Sequence, residues 1–246
     1  MLSAVAALAD GLLERLASAP GETGIFLDFD GVLAPIVSRP EDAYAPPETR
    51  LELGRLVQRY ALVSVVSGRA GVDVRERVGV DGLVYVGSHG LEHDPQAERW
   101  RRRIAELASD APWPERQTEL KGLSVAFHFR EAEDERAAVR ELELIAERAT
   151  DEGLVARFGR KVLEVLPPVG SNKGTAVRHL LEDAGLAQAL VAGDDTTDID
   201  SFRAVEDLEC HVRVAVLSEE SPVLLRDYAE IVVGSTGEFL ELLRRL

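Results

Sequence analysis

From Gly24 onward the sequence sets short apolar runs against stretches of helical spacing: GIFLDFD, then ETRLELGRLVQRY, then ALVSVVSG, a charged stretch to Val80, and LVYVGSHG. Runs this short, divided by segments with apolar residues at helical intervals, predict strand, helix, strand, helix, strand. That order requires crossover connections, and so a parallel sheet with helices laid on it. Hydrophobic residues make up 46% of the 246, enough for the buried sheet such a fold needs. Each apolar run also ends in polar residues: Asp28 and Asp30, then Ser67 and Gly68, then Ser88 to Gly90. In open α/β sheets the carboxyl ends of strands are where sites are built.

The rhythm breaks between about residues 97 and 168. RWRRRIAELASDAPW reads as a charged helix, LKGLSVAFHFR alternates like a strand with one open face, EAEDERAAVRELELIAERA is a charged helix, and LVARFGRKVLEVLPP reads as a pair of strands. Helix, strand, helix, strands is the order of a small α+β unit. After PPVGSN the first rhythm returns, with KGTAVRHLLEDAG as helix and ALVAGDD, HVRVAVL and EIVVGS as strands. The expected organisation is therefore a core of residues 1–96 and 169–246 with residues 97–168 inserted into it.

The charge balance narrows the partners. Lys and Arg number 28 against 44 Asp and Glu, a net charge of −16, which argues against nucleic acid or an acidic membrane surface. An anionic substrate would need local cations. The single cysteine, Cys210, offers neither a disulfide framework nor a thiolate metal site, which fits a reducing, cytoplasmic setting. The leading MLSAVAALADGLLERLASAP has no Lys or Arg before its apolar part and is interrupted by Asp10 and Glu14. It reads as an amphipathic helix using Leu2, Val5, Ala6, Leu8, Leu12, Leu13 and Leu16 to pack on a core or on a partner. No apolar run approaches the roughly 20 residues of a membrane span.

A second acidic cluster, Asp194, Asp195 and Asp198, follows the run ALVAG. One acidic loop at a strand end is ordinarily a solvated turn or a helix cap. Two of them invite a shared role, because carboxylates brought together repel unless a cation joins them, and hard oxygen donors suit magnesium. Lys173 opens a predicted helix, where its ammonium can reach a phosphate or offset clustered carboxylates, and Ser67 with Gly68 can donate to phosphate oxygens. Together these groups suit phosphoryl transfer, with one aspartate as nucleophile and another moving protons.

DFDGVL, VVSGR, NKG and GDDTTD, in that order, resemble the four motifs of the haloacid dehalogenase-type phosphatase superfamily. The resemblance implies a Rossmann-like parallel-sheet core with an inserted α/β cap, and an enzyme of the phosphoric monoester hydrolase class. It makes Asp28 the nucleophile and Asp30 the general acid and base, with Ser67, Gly68 and Lys173 on the phosphate. Mg2+ would lie among Asp28, the main-chain carbonyl of Asp30, and Asp194, with Asp195 and Asp198 as outer or water-mediated partners. LDFDGVLAPIVSRPEDA, YVGSHGLE, LKGLSVAFHFR, GRKVLEVLPPVGSNKGTAV and GDDTTDIDSF further resemble the trehalose-6-phosphate phosphatases. That implies magnesium-dependent hydrolysis of trehalose 6-phosphate through an aspartyl-phosphate; a monomer or weak dimer is expected. Glu119, Lys121 and Glu164 match the family's sugar-contacting positions, with Arg69, His89, Arg130 and Lys161 as further candidates. Where the family usually has an acidic residue after TD, this chain has Ile199, which bears on fine tuning and not on the aspartates themselves.

Overall fold

The computed structural model describes residues 2–37, 39–159, 161–218 and 221–246, with only the backbone for residues 2–9 and 223. The chain runs α1 (Leu2–Ser18), β1 (Thr23–Leu27), α2 (Pro47–Arg59), β2 (Leu62–Val66), α3 (Gly71–Val78) and β3 (Val84–Val86). It continues through α4 (Pro95–Glu98), α5 (Arg101–Asp110), β4 (Thr118–Leu120), β5 (Val125–His128), α6 (Glu135–Asp151), β6 (Val155–Gly159) and β7 (Val162–Leu166). It closes with α7 (Lys173–Ala184), β8 (Gln188–Gly193), α8 (Asp198–Ala204), β9 (Cys210–Val216), β10 (Ile231–Val233) and α9 (Thr236–Leu243). Two compact units result, one of Met1–Gly90 with Ser171–Leu246 and one of Leu91–Gly170.

In the first unit six strands form a wholly parallel sheet in the order β10-β9-β8-β1-β2-β3. Both faces are covered, so most of the strands read as apolar runs, while β9 alternates and leaves His211 and Arg213 half-buried. Alternate residues serve opposite layers: Ile25, Leu27, Leu190 and Ala192 join the helices that carry Leu16, Leu53, Leu56 and Phe239. Phe26, Ala189 and Val191 join Val177, Leu181 and Phe202 on α7 and α8. Leu13 and Leu16 are buried in the first layer, so α1 packs internally through its C-terminal half. The other apolar side chains expected on that helix, Leu2, Val5, Ala6 and Leu8, lie outside the described residues. Strand order reverses between β1 and β8, since the chain steps from β1 to β2 and β3 on one side and from β8 to β9 and β10 on the other. A crevice opens at such a switch point, above the carboxyl ends of the two strands.

The second unit is an antiparallel sheet in the order β4-β5-β7-β6. Val125, Phe127, Leu163 and Val165 face Ile104, Leu107, Leu142 and Ile145 of α5 and α6. The alternate row aligns Glu119, Ala126, Glu164 and Arg157 across all four strands. Strand β4 is not legible in the sequence, because TEL is short and carries no apolar alternation. Among the described residues no helix is long and apolar enough to cross a membrane.

Candidate active site

Asp28 follows β1 directly and its amide donates to the Ala192 carbonyl of β8 at 3.0 Å, which fixes it at the switch point. Phe29 is fully buried, so the aspartates on either side of it are carried at the end of a firmly packed strand. The chain then turns at once, with the Gly31 amide donating to Ala34 at 2.8 Å and the Ala34 amide donating to Phe29 at 2.9 Å. Gly31 has φ +74°, and a Cβ there would lie 2.1 Å from Asp194 Oδ2. Glycine is required at this position on both counts.

Lys173 is the first residue of α7, which Asn172 caps: its side chain accepts from the Thr175 amide at 2.9 Å, and its own amide donates to Thr175 Oγ1 at 2.9 Å. From that fixed start the Lys173 ammonium, 3% exposed, reaches Asp28 Oδ2 at 3.0 Å and Asp198 Oδ1 at 2.7 Å. The other Asp198 oxygen accepts from the amides of Asp194 and Asp195, at 3.0 and 3.1 Å. Asp195 is exposed, and its Oδ1 accepts from the Thr196 amide at 2.6 Å. Asp198 thus braces the Asp194–Asp195 turn and anchors the lysine, and neither of its oxygens is idle.

Burial and mutual repulsion dominate the electrostatics. Burial, opposed by Lys173 and reinforced by Asp198 and Asp30, pushes the Asp28 carboxyl up to about 7. Burial, with repulsion from Asp28 and Asp198, pushes Asp194 up to about 9. Burial works against the charge of Lys173 too, but Asp198 and Asp28 outweigh it and hold the ammonium well above its ordinary range. Asp28, Asp194 and Asp198 offer oxygens all within 4.8 Å of one another. Carboxylates whose charge is this costly fit a divalent cation, which would remove the repulsion and restore the charged forms.

Ser67 continues β2, its amide donating to Val86 of β3 at 2.9 Å, and it is 1% exposed. Its hydroxyl accepts from the Arg69 amide at 3.2 Å. Ser88, His89 and Gly90 have φ of 52°, 54° and 95°, a run of left-handed residues that costs on the order of 1 kcal/mol for each of the first two. The turn is held because the Ser88 amide donates to Arg69 at 2.7 Å and that of His89 to Ser67 at 2.9 Å. It presses the His89 ring onto Gly68, where a Cβ would come within 2.5 Å of the imidazole. Arg69, expected among the sugar contacts, forks onto Asp30, with Nε to Oδ2 at 2.7 Å and a terminal nitrogen to Oδ1 at 2.9 Å. Ile199 is 7% exposed and packs in the same cluster as Phe202, so that position serves the core.

In the second unit Lys121 Nζ lies 3.8 Å from Glu119 Oε2 and 3.7 Å from Glu164 Oε1. The structure brings these three together and adds His128, whose Nε2 is 3.0 Å from Glu119 Oε2. His128 pairs with Val162 on the neighbouring strand, and its alternation with Phe127 is the signal that could have placed it beside the acid. Lys161 is not part of that group: it pairs with Glu135 at the start of α6 and lies 6.0 Å from the centre of the Phe129 ring. Arg130 is exposed, beyond the end of β5.

The family model for trehalose-phosphatases matches residues 26–224. The trehalose-phosphate phosphatase of Mycobacterium tuberculosis H37Rv is 34% identical over 222 aligned residues, covering 80% of this chain and 54% of that protein. The chain therefore spans about half the length of the curated relatives it matches. Among solved structures, a trehalose-6-phosphate phosphatase related protein superposes with TM-score 0.71 at 25% identity, over 90% of this chain and 95% of the other. The trehalose-6-phosphate phosphatase of Aspergillus fumigatus shares the fold at TM-score 0.62 and 21% identity, with 96% of each chain covered. A parallel-sheet core with an inserted α/β unit, the motifs lodged at its switch point, and a family match across most of the sequence converge: the chain belongs to the trehalose-phosphatase family.

Proposed function

We propose that this chain is a phosphatase that releases phosphate from trehalose 6-phosphate, with residues 1–96 and 169–246 as the catalytic core and residues 97–168 as the substrate-selecting cap. The carrying observation is the buried set of Asp28, Lys173, Asp198 and Asp194 at the β1/β8 switch point. A purely structural ion pair would not need a third carboxylate beside it, and this one raises the cost of burial.

In this reading an Asp28 oxygen attacks the phosphorus, the bond to the sugar oxygen breaks, and Asp30 delivers a proton to that oxygen. Asp30 then takes a proton from water as the water attacks the aspartyl-phosphate, returning Asp28 and inorganic phosphate. Lys173, Ser67 and the amide of Gly68 bind and orient the phosphate oxygens, and Lys173 offsets charge that gathers as nucleophile and phosphate approach. Asp28, the Asp30 carbonyl and Asp194 would hold Mg2+, while Asp198 keeps Lys173 and the Asp194 turn in place. The ion supplies charge stabilisation for the transferring group when bound. Glu119, Lys121 and Glu164 pair with sugar hydroxyls, so that an analogue lacking them leaves charged groups unsatisfied.

The test is phosphate release from trehalose 6-phosphate, sucrose 6-phosphate and glucose 6-phosphate, with magnesium and with chelator. Preference for trehalose 6-phosphate, abolished by chelator, is expected. Faster release from another sugar keeps the chemistry and discards the substrate, and binding without release from any of them discards both.

A further inference from the structure

We propose that Arg69 is a positioning residue for Asp30: its guanidinium, anchored by Asp73 and stacked on Phe29, fixes the Asp30 carboxylate in the plane from which it moves protons. The inference rests on the reading of Asp28 as nucleophile and Asp30 as acid and base.

The fork grips both carboxylate oxygens, at 2.7 and 2.9 Å. Bidentate contact fixes the plane of the carboxylate as well as its location, and each oxygen keeps a further lone pair for another partner. Arg69 is itself constrained. Its other terminal nitrogen is 3.3 Å from Asp73 Oδ2, and the nitrogen that holds Asp30 Oδ1 also donates to the Pro40 carbonyl at 3.0 Å. Its guanidinium carbon lies 5.4 Å from the centre of the buried Phe29 ring, within cation–π range. Asp73 is held in turn by Arg77 at 2.7 Å, one turn further along α3. The result is a relay of Asp30, Arg69, Asp73 and Arg77 joining the turn after β1 to the helix after β2.

The exposures run in the direction a positioning role requires. The Arg69 side chain is 11% exposed and that of Asp30 is 35% exposed, so the brace is more covered than the group it holds. Four of the five N–H donors of the guanidinium are taken up by Asp30, Asp73 and Pro40. Lysine could not substitute, because one ammonium cannot fix a carboxylate plane.

The test compares wild type, Arg69→Ala, Arg69→Lys and Asp73→Asn on trehalose 6-phosphate and p-nitrophenyl phosphate, with rapid mixing for the aryl ester. p-Nitrophenolate leaves without needing a proton, so phosphorylation of Asp28 is spared when Asp30 is misplaced, while the later attack of water is not. Arg69→Ala should keep a burst of p-nitrophenolate close to one per enzyme while steady-state turnover falls about 100-fold and KM stays within about 3-fold. Trehalose 6-phosphate, which needs Asp30 in both steps, should lose more. Arg69→Lys should recover only part of the rate, and Asp73→Asn should show the same pattern at roughly 3-fold. Unchanged or increased turnover, a rise confined to KM, or loss of the burst in step with turnover in a folded variant would overturn the proposal. If Arg69→Ala does not fold, Arg69→Lys and Asp73→Asn decide by the same criteria. Wild-type protein that releases no phosphate removes the reading of Asp28 and Asp30, and this inference with it; the outcomes above remove this inference alone.

Discussion

The two sheets carry charge in opposite ways. In the parallel sheet both faces are largely apolar, with Arg213 of β9, paired to Glu230, as a charged residue within a strand, and the site charges Asp28, Lys173 and Asp198, at a strand end and two helix starts, are all less than 10% exposed. In the antiparallel sheet one face is apolar and the other carries charges along its length, with Glu119, Lys121, Glu164 and His128 only partly covered. Buried charges survive only when each is paired, so removing one leaves its partners in deficit. Partly solvated charges are screened by water and tolerate exchange. On the proposed function, the strand ends would hold fixed chemistry and the open face adjustable recognition.

The largest expected effect is on turnover. Asp28→Asn should lower phosphate release by on the order of 10⁴-fold or more with the fold intact, as measured by steady-state assay alongside circular dichroism. Normal turnover would erase the distinction between the two regions. Lys173→Met should lower unfolding free energy by about 3 kcal/mol, because Asp28 and Asp198 then face each other buried and unpaired. Denaturant titration checks it, and a loss no larger than that of an exposed lysine would show that the pair is not buried in solution.

On the open face, Glu164→Gln and Glu119→Gln should each cost roughly 10- to 100-fold in kcat/KM for trehalose 6-phosphate and under about 3-fold for p-nitrophenyl phosphate. Equal losses on the two substrates would deny that face a role in recognition. The smallest effect separates the regions by pH. Asp28 and Asp194 hold protons up to about 7 and about 9, above an unfolded value near 3.8. Between about pH 4 and 9 the folded chain then binds more protons than the unfolded one, and without a divalent cation its stability falls as pH rises through that window. Millimolar magnesium should raise Tm by roughly 5 °C at pH 8 and by less at pH 5.5. A shift that is independent of pH would place the ion away from these aspartates.

Much of this contrast is legible along the chain. The strand–helix rhythm and the return at Lys173 are local patterns, the change of unit after Gly90 precedes the break expected after residue 96, and burial on both faces follows from runs that are mostly apolar. Asp28, Asp30, Ser67, Lys173 and Asp194 stand out because each ends a strand or opens a helix. Strand β4 does not, since TEL becomes a strand only by pairing with Val125, Ala126 and Phe127. Nor does the position of Ile199 reveal that its side chain is taken up by the core around Phe202.

The sequence by itself determined most of the elements, how they alternate, and which polar residues lie at their ends, because propensity, periodicity and capping act over a few neighbouring residues. Only the tertiary structure decided which of those residues meet. Asp30 and Arg69 are 39 positions apart, Lys173 and Asp198 are 25 apart, and His128 reaches Glu119 across a strand pair. Those contacts depend on strand order and register, which arise when the whole chain closes its core, and no local pattern encodes them.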